Sequence, residues 1–177
     1  MTRSNRSVQN LVVAALMLAL AYVLPFFTGN IPQIGSMLLP MHLPTLLCGF
    51  LCGGPWGAAV GFLAPLMRSA ILGMPPPFPT AVAMAVEMAV YGLVYARLPK
   101  NLGGIYTALI SAMAAGRLAW GAVMVILTMG SGNAFTLAAF WAGAVANAIP
   151  GIILQLAAVP ALVMAVQHVR QPVPQEG

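Results

Sequence analysis

The sequence predicts an all-α membrane protein: six transmembrane helices with both termini on the cytoplasmic side. Three observations carry this. The mean hydropathy is +0.96, and 5% of residues are charged, where a soluble domain carries about a quarter. Apolar stretches of about 20 residues recur, the length a helix needs to cross roughly 30 Å of hydrocarbon. The basic residues gather in alternate loops, which is how membrane orientation is encoded. Outer-membrane strands would alternate apolar and polar over about 10 residues, and no such alternation is visible.

The first span is read at 8–28. Arg3 and Arg6 precede it, but no Ala-x-Ala cleavage site follows, so it is a helix that stays rather than a signal peptide. The second, 38–53, is interrupted by Pro40 and Pro44. A tight turn at Gly53, Gly54 and Pro55 leads to the third, 56–72. Residues 73–79 contain four prolines and are expected to be non-helical, because proline lacks the donor and clashes with the preceding turn. The fourth span is 80–98 and the fifth 104–128. The sixth, 136–168, is long enough to include an interfacial turn, with kinks expected at Pro150 and Pro160. Residues 1–7 and 169–177 are expected to be cytoplasmic tails around one transmembrane domain, 8–168.

Arg3, Arg6, Arg97, Lys100 and Arg170 all fall on one side of this arrangement. The loops 29–37, 73–79 and 129–135 carry no charge and belong on the other side. The net charge of +5 is therefore a topology signal, and no nucleic-acid partner is expected.

Three charges interrupt apolar runs: Arg68, Glu87 and Arg117. A charge at membrane depth costs a few kcal/mol and normally faces a cavity or a partner. At 1.5 Å per residue, Glu87 lies roughly 10 Å below the outer end of span four. Arg68 and Arg117 lie roughly 18 and 20 Å from the inner ends of spans three and five. All three thus share one layer in the outer half. His42 is placed nearer the outer end of span two, and Asn147 nearer the midplane on span six. Tyr91 shares the helix face of Glu87, and Trp120 that of Arg117. The layer is expected to be an outward-open pocket, gated by loops Gly29–Met37 and Gly73–Pro79. Each residue also has a structural alternative. Glu87 either contacts substrate or staples two helices. Arg68 either contacts substrate or caps carbonyls of the proline loop. Two arginines against one carboxylate leave the layer at about +1, favouring an anionic or zwitterionic ligand, since guanidinium suits carboxylate and phosphate.

Other chemistry is poorly supported. Cys48 and Cys52 are four residues apart, which fits neither a redox pair nor a zinc site, so no metal is expected. Ser131 lacks the surroundings of a nucleophile elbow and His168 falls on the opposite side, so the chain is not expected to be an enzyme. A solitary channel or secondary transporter is the alternative function, but no inverted repeat is visible. In span one, Ala15 and Ala19 form a small-x-x-x-small pattern, widened by Ala14 and Ala21, of the kind that admits a close helix neighbour.

Met41-His-Leu-Pro-Thr-Leu-Leu-Cys-Gly49, Gly54-Pro-Trp-Gly57, Gly61-Phe-Leu-Ala-Pro65 and Gly73-Met-Pro-Pro-Pro-Phe-Pro79, followed by a Glu-containing helix, carry a family resemblance. The chain resembles the substrate-binding S components of energy-coupling factor (ECF) vitamin transporters, from about Val8 to Ala165. The resemblance implies a six-helix bundle with a pocket near the outer face, in a prokaryotic cytoplasmic membrane. It implies a transmembrane coupling protein and two ABC-type ATPases as partners, with Ala15 and Ala19 on the docking surface. No cofactor is expected in this chain: it has no Walker A motif, so ATP would be hydrolysed by the partners. Pantothenate, niacin, a B6 vitamer and a pyrimidine precursor all remain open as substrates.

Overall fold

In lipid a backbone must satisfy its own N–H and C=O groups, which favours helices. The computed structural model describes residues 3–28, 37–97, 102–129, 136–144 and 146–170, and every regular element among them is helical. The helices are α1 Arg3–Val23, α2 His42–Cys52, α3 Gly54–Leu72, α4 Val82–Arg97, α5 Leu102–Thr128, α6 Leu137–Ala144 and α7 Ile149–Arg170. Five stretches are long and apolar enough to cross a membrane: Asn5–Phe27, Gly54–Leu72, Pro77–Arg97, Gly103–Thr128 and Leu137–His168.

Several sequence expectations need correction. The helix α1 starts at Arg3, five residues before the apolar run, because hydrogen bonding rather than hydropathy fixes a helix end. The second span is shorter than expected. With 11 residues, α2 rises about 16 Å and falls well short of a 30 Å hydrocarbon core. Pro44 does not break it, since it sits in the first turn, where the N–H has no helical acceptor to lose. Pro40 stays outside, in the turn before it.

The proline segment is not wholly irregular. Pro77–Ala81 forms a wide turn in which the Ala81 N–H donates to the Pro76 carbonyl at 2.9 Å. Phe78 within it is extended, at φ −133° and ψ 136°. Just upstream, Gly73 ends α3 in the left-handed conformation, φ 70°, and its N–H reaches the Ser69 carbonyl at 2.9 Å.

The sixth span is two helices. A 3-10 turn, Ala146–Ala148, lies between α6 and α7. Pro150 therefore opens α7 instead of kinking it, and Pro160 is the proline inside the helix. The expected gate Gly29–Met37, apart from Met37, lies outside the described residues. So do Lys100, Ser131 and the tail from 171 onward.

Small residues set the bundle's register. Gly49, Gly57 and Gly92 meet where α2, α3 and α4 cross, and a Cβ on Gly92 would overlap the Gly57 backbone. Such close approach is what holds helices together in lipid, where apolar side chains gain nothing by leaving the solvent. The upper end of the bundle is the one at which α2, α4 and α7 begin. Two contacts fix α7 in this frame. Gly151 lies against the backbone of Met37 and Leu38. Lower down, Val159 and Val163 enter a core with Leu46 and Phe50 of α2, Tyr91 and Tyr95 of α4, and Leu109 and Met113 of α5.

The alanines of α1 divide between two faces. Ala14 and Ala21 point inward and are buried, Ala14 in a cluster with Cys48 and Val60, Ala21 in one with Met41 and Met88. Ala15 and Ala19 point outward. The stripe read as four alanines wide is therefore two alanines on each face.

Candidate polar site between α2, α4 and α5

Glu87 sits in mid-α4, surrounded by alanine and methionine in sequence, and is 1% exposed. Its carboxylate is not isolated. Arg117 of α5 brings Nη1 to 3.0 Å from Glu87 Oε1, and His42, the first residue of α2, brings Nε2 to 3.6 Å from the same oxygen. The second distance is longer than a hydrogen bond. Tyr91, one turn below Glu87, places its ring edge-on to His42, with centroids 5.0 Å apart at 90°. Gly116 makes room for this: a Cβ there would lie 2.9 Å from the Tyr91 ring. Thr45 below His42 returns its hydroxyl to the Met41 carbonyl at 3.2 Å.

The cluster is under-satisfied. Both His42 nitrogens and Nε and Nη2 of Arg117 are buried without a hydrogen-bond partner, and Glu87 Oε1 has its ion pair with Arg117 Nη1 but no aligned hydrogen bond. Native interiors leave few such groups, so each calls for an explanation. The arginine is the most telling. It faces Glu87 with Nη1, leaving free the Nε–Nη2 edge, which is the edge that binds carboxylate or phosphate with two parallel bonds.

Residues 9–163 match the family model of the ECF transporter substrate-specific component.

The chain belongs to this family.

Neither the curated proteins nor the solved structures give a match. The S component is accordingly a multi-pass membrane transport subunit rather than an enzyme.

The structure of this S component brings together four of the residues singled out from sequence: Glu87, Arg117, His42 and Tyr91. The others lie elsewhere. Arg68 is buried, but its Nη1 donates to the Tyr22 carbonyl of α1 at 2.8 Å, and its guanidinium stacks on Phe26 and Tyr22 at 5.1 and 5.9 Å. The carbonyl it caps belongs to α1, where the proline loop had been expected. Trp120, one turn above Arg117, is half-buried against Phe140 of α6, with centroids 6.2 Å apart. Asn147 is in the 3-10 turn that precedes α7 and is exposed. Ala15 and Ala19 line a lateral apolar groove of about 500 Å³ between α1 and α3, with Tyr22, Met67 and Ile71.

One residue escaped the sequence reading. Gln155 of α7 is 0% exposed, and neither amide atom has a partner. The available signal was a lone amide between Leu154 and Leu156 in an apolar run, costly to bury unpaired. Among the described residues no group of His, Cys, Asp and Glu is placed to hold a metal.

Proposed function

We propose that this S component is the substrate-capturing subunit of an ATP-driven importer for a small water-soluble vitamin or precursor. Glu87, Arg117, His42 and Tyr91 are its polar contacts. The observation that carries the reading is the half-used ion pair: Arg117 meets Glu87 through Nη1 and keeps its Nε–Nη2 edge for a ligand. The substrate then presents a carboxylate or phosphate to Arg117, and a donor or positive group to Glu87 and His42. With Arg68 engaged on α1, the Glu87–Arg117 pair is neutral by itself, which favours a zwitterion over a pure anion. Trp120 stands one turn above as a ring contact. Asn147, in the exposed turn, borders the mouth of the pocket.

The upper end, away from Arg97, faces the outside of a prokaryotic cytoplasmic membrane, with both tails inside, following the distribution of basic residues. A transmembrane coupling subunit docks on the outward alanines of α1, and two ABC-type ATPases supply the energy. The exposed pair Ala15 and Ala19 and the groove beside them support this assignment.

The test is twofold. The tagged chain, purified from its own cells, should bring down two ATPases and a membrane coupling protein. Mass spectrometry of small molecules released from it should identify a zwitterionic or anionic compound. Recovery of the chain alone, with a transport activity that survives ATP depletion, would favour a secondary transporter instead.

A further inference from the structure

We infer that Gln155 is a substrate-recognising side chain of this same site, and that it reads a lactam-type edge, a ring N–H beside a C=O. The inference rests on the binding-subunit reading above and adds a residue and a ligand chemistry to it.

The level of Gln155 follows from packing on either side of it. One turn below, Val159 joins the core that contains Leu46, Tyr91 and Met113. Leu46 is one turn below His42, Tyr91 one turn below Glu87, and Met113 one turn below Arg117, because α5 runs opposite to α2 and α4. One turn above, Gly151 touches Met37 and Leu38, just before the turn that leads into His42. These contacts bracket Gln155 between the entry to α2 above and the core below His42, Glu87 and Arg117. Its direction is set by periodicity. Gln155, Val159 and Val163 recur every four residues on one helix face, and all three are 0% exposed.

Its chemistry is set by what it lacks. Oε1 and Nε2 are both buried without a hydrogen-bond partner, so swapping the two atoms changes nothing. A primary amide offers one acceptor and one donor side by side on a planar group. A group that answers both at once carries a donor and an acceptor side by side, as a primary carboxamide or an amide held cis in a ring does; with a ring ligand this is the lactam of pyrimidinones and purinones. A trans amide, such as that of pantothenate, meets one atom only. Together with the free edge of Arg117, this describes a ring ligand with a lactam on one side and an anionic group on the other.

A purely structural glutamine and a ligand-reading one respond in opposite ways to removal. Gln155→Met keeps the volume and takes away both polar atoms. A structural amide would be missed, whereas an unpaired one is better replaced by an apolar group. The probes are uracil, orotate and hypoxanthine, against 1,3-dimethylorotate with its lactam edges blocked and against nicotinate and pantothenate, which have no lactam. The full chain in detergent is used for calorimetry and thermal unfolding. The expected result is that at least one lactam probe binds wild type tenfold or more tighter than the blocked analogue. In Q155M that advantage disappears, while the unfolding midpoint without ligand stays equal or rises. A lower midpoint with the lactam preference intact overturns the inference. Binding of nicotinate or pantothenate but of no lactam probe also overturns it, and leaves the binding-subunit reading standing. Binding of none of the six, with no co-purifying ATPase, removes both.

Discussion

Arg117 Nη1 stands 3.0 Å from Glu87 Oε1, and this contact ties the middle of α4 to the middle of α5 inside an otherwise apolar bundle. Because Glu87 is 1% and Arg117 14% exposed, the pair is desolvated, and each charge depends on the other. Breaking such a pair from one side typically costs about 3–5 kcal/mol, whereas replacing both partners by apolar groups is often neutral.

The first prediction follows from this asymmetry. Glu87→Gln alone lowers stability by about 3 kcal/mol, the low end of that range because Arg117 retains some exposure. Arg117→Met with Glu87→Gln recovers most of the loss. Thermal unfolding of the single and double variants in detergent measures it, and additive losses would show that the two side chains act independently.

Both single variants also lose the substrate. Glu87→Gln and Arg117→Ala, where folded, each weaken binding of the co-purified ligand more than tenfold, about 1.4 kcal/mol. Calorimetry reads this directly. Unchanged affinity in a folded variant would reduce that residue to a link between α4 and α5.

Arg68 behaves differently. Its hydrogen bond to the Tyr22 carbonyl and its place over Phe26 secure α1 to α3, and a hydrogen bond from a charged group contributes about 1.5–3 kcal/mol. Arg68→Gln lowers the unfolding midpoint but leaves ligand affinity within threefold. A tenfold loss of affinity at unchanged stability would return Arg68 to the site.

On the outer face of α1, Ala15→Leu or Ala19→Leu fills the groove without entering the core, since both alanines are exposed. The isolated variants keep wild-type ligand affinity, whereas uptake by cells and co-purification of the partners are abolished. Lost affinity in the isolated protein would count against a docking role.

Gly92→Ala should be among the more damaging small substitutions. The added Cβ meets the Gly57 backbone, which no rotamer change can move aside. Overpacking of this kind costs about 1–3 kcal/mol. Gly103→Ala, where a Cβ meets nothing within 4 Å, is the control and should leave the midpoint unchanged.

The last prediction concerns the turn above the site. Phe78 is extended and 60% exposed. Phe78→Cys is labelled from outside by an impermeant thiol reagent, and labelling slows when substrate is added. With coupling protein and ATPases present, ATP changes the rate again, because a bundle of this size with its site in the outer half has no evident inner gate and transport needs the whole bundle to reorient. Labelling indifferent to all of these conditions would count against both the gate and the reorientation.

Composition and periodicity in one dimension were enough to establish the helices, their approximate limits and the membrane environment. A backbone in lipid has few ways to satisfy its hydrogen bonds, and the spacing of apolar runs is readable without knowing what touches what. The same reasoning made Glu87 and Arg117 conspicuous, because a charge in an apolar run stands out wherever the run ends up. Partnership was decided only by tertiary structure. Arg68 and Arg117 look alike in sequence, yet one turns to the Tyr22 carbonyl and the other to Glu87. Asn147 and Gln155 are both lone amides in one apolar segment, and the 3-10 turn at Ala146–Ala148 leaves the first exposed and the second buried. Ala14 and Ala15 are neighbours, and α1 turns one inward and the other outward. Which face of a helix is buried depends on the rotation of that helix against its neighbours. Here that rotation is set by contacts between residues far apart in the chain, such as Gly57 with Gly92 and Gly151 with Met37.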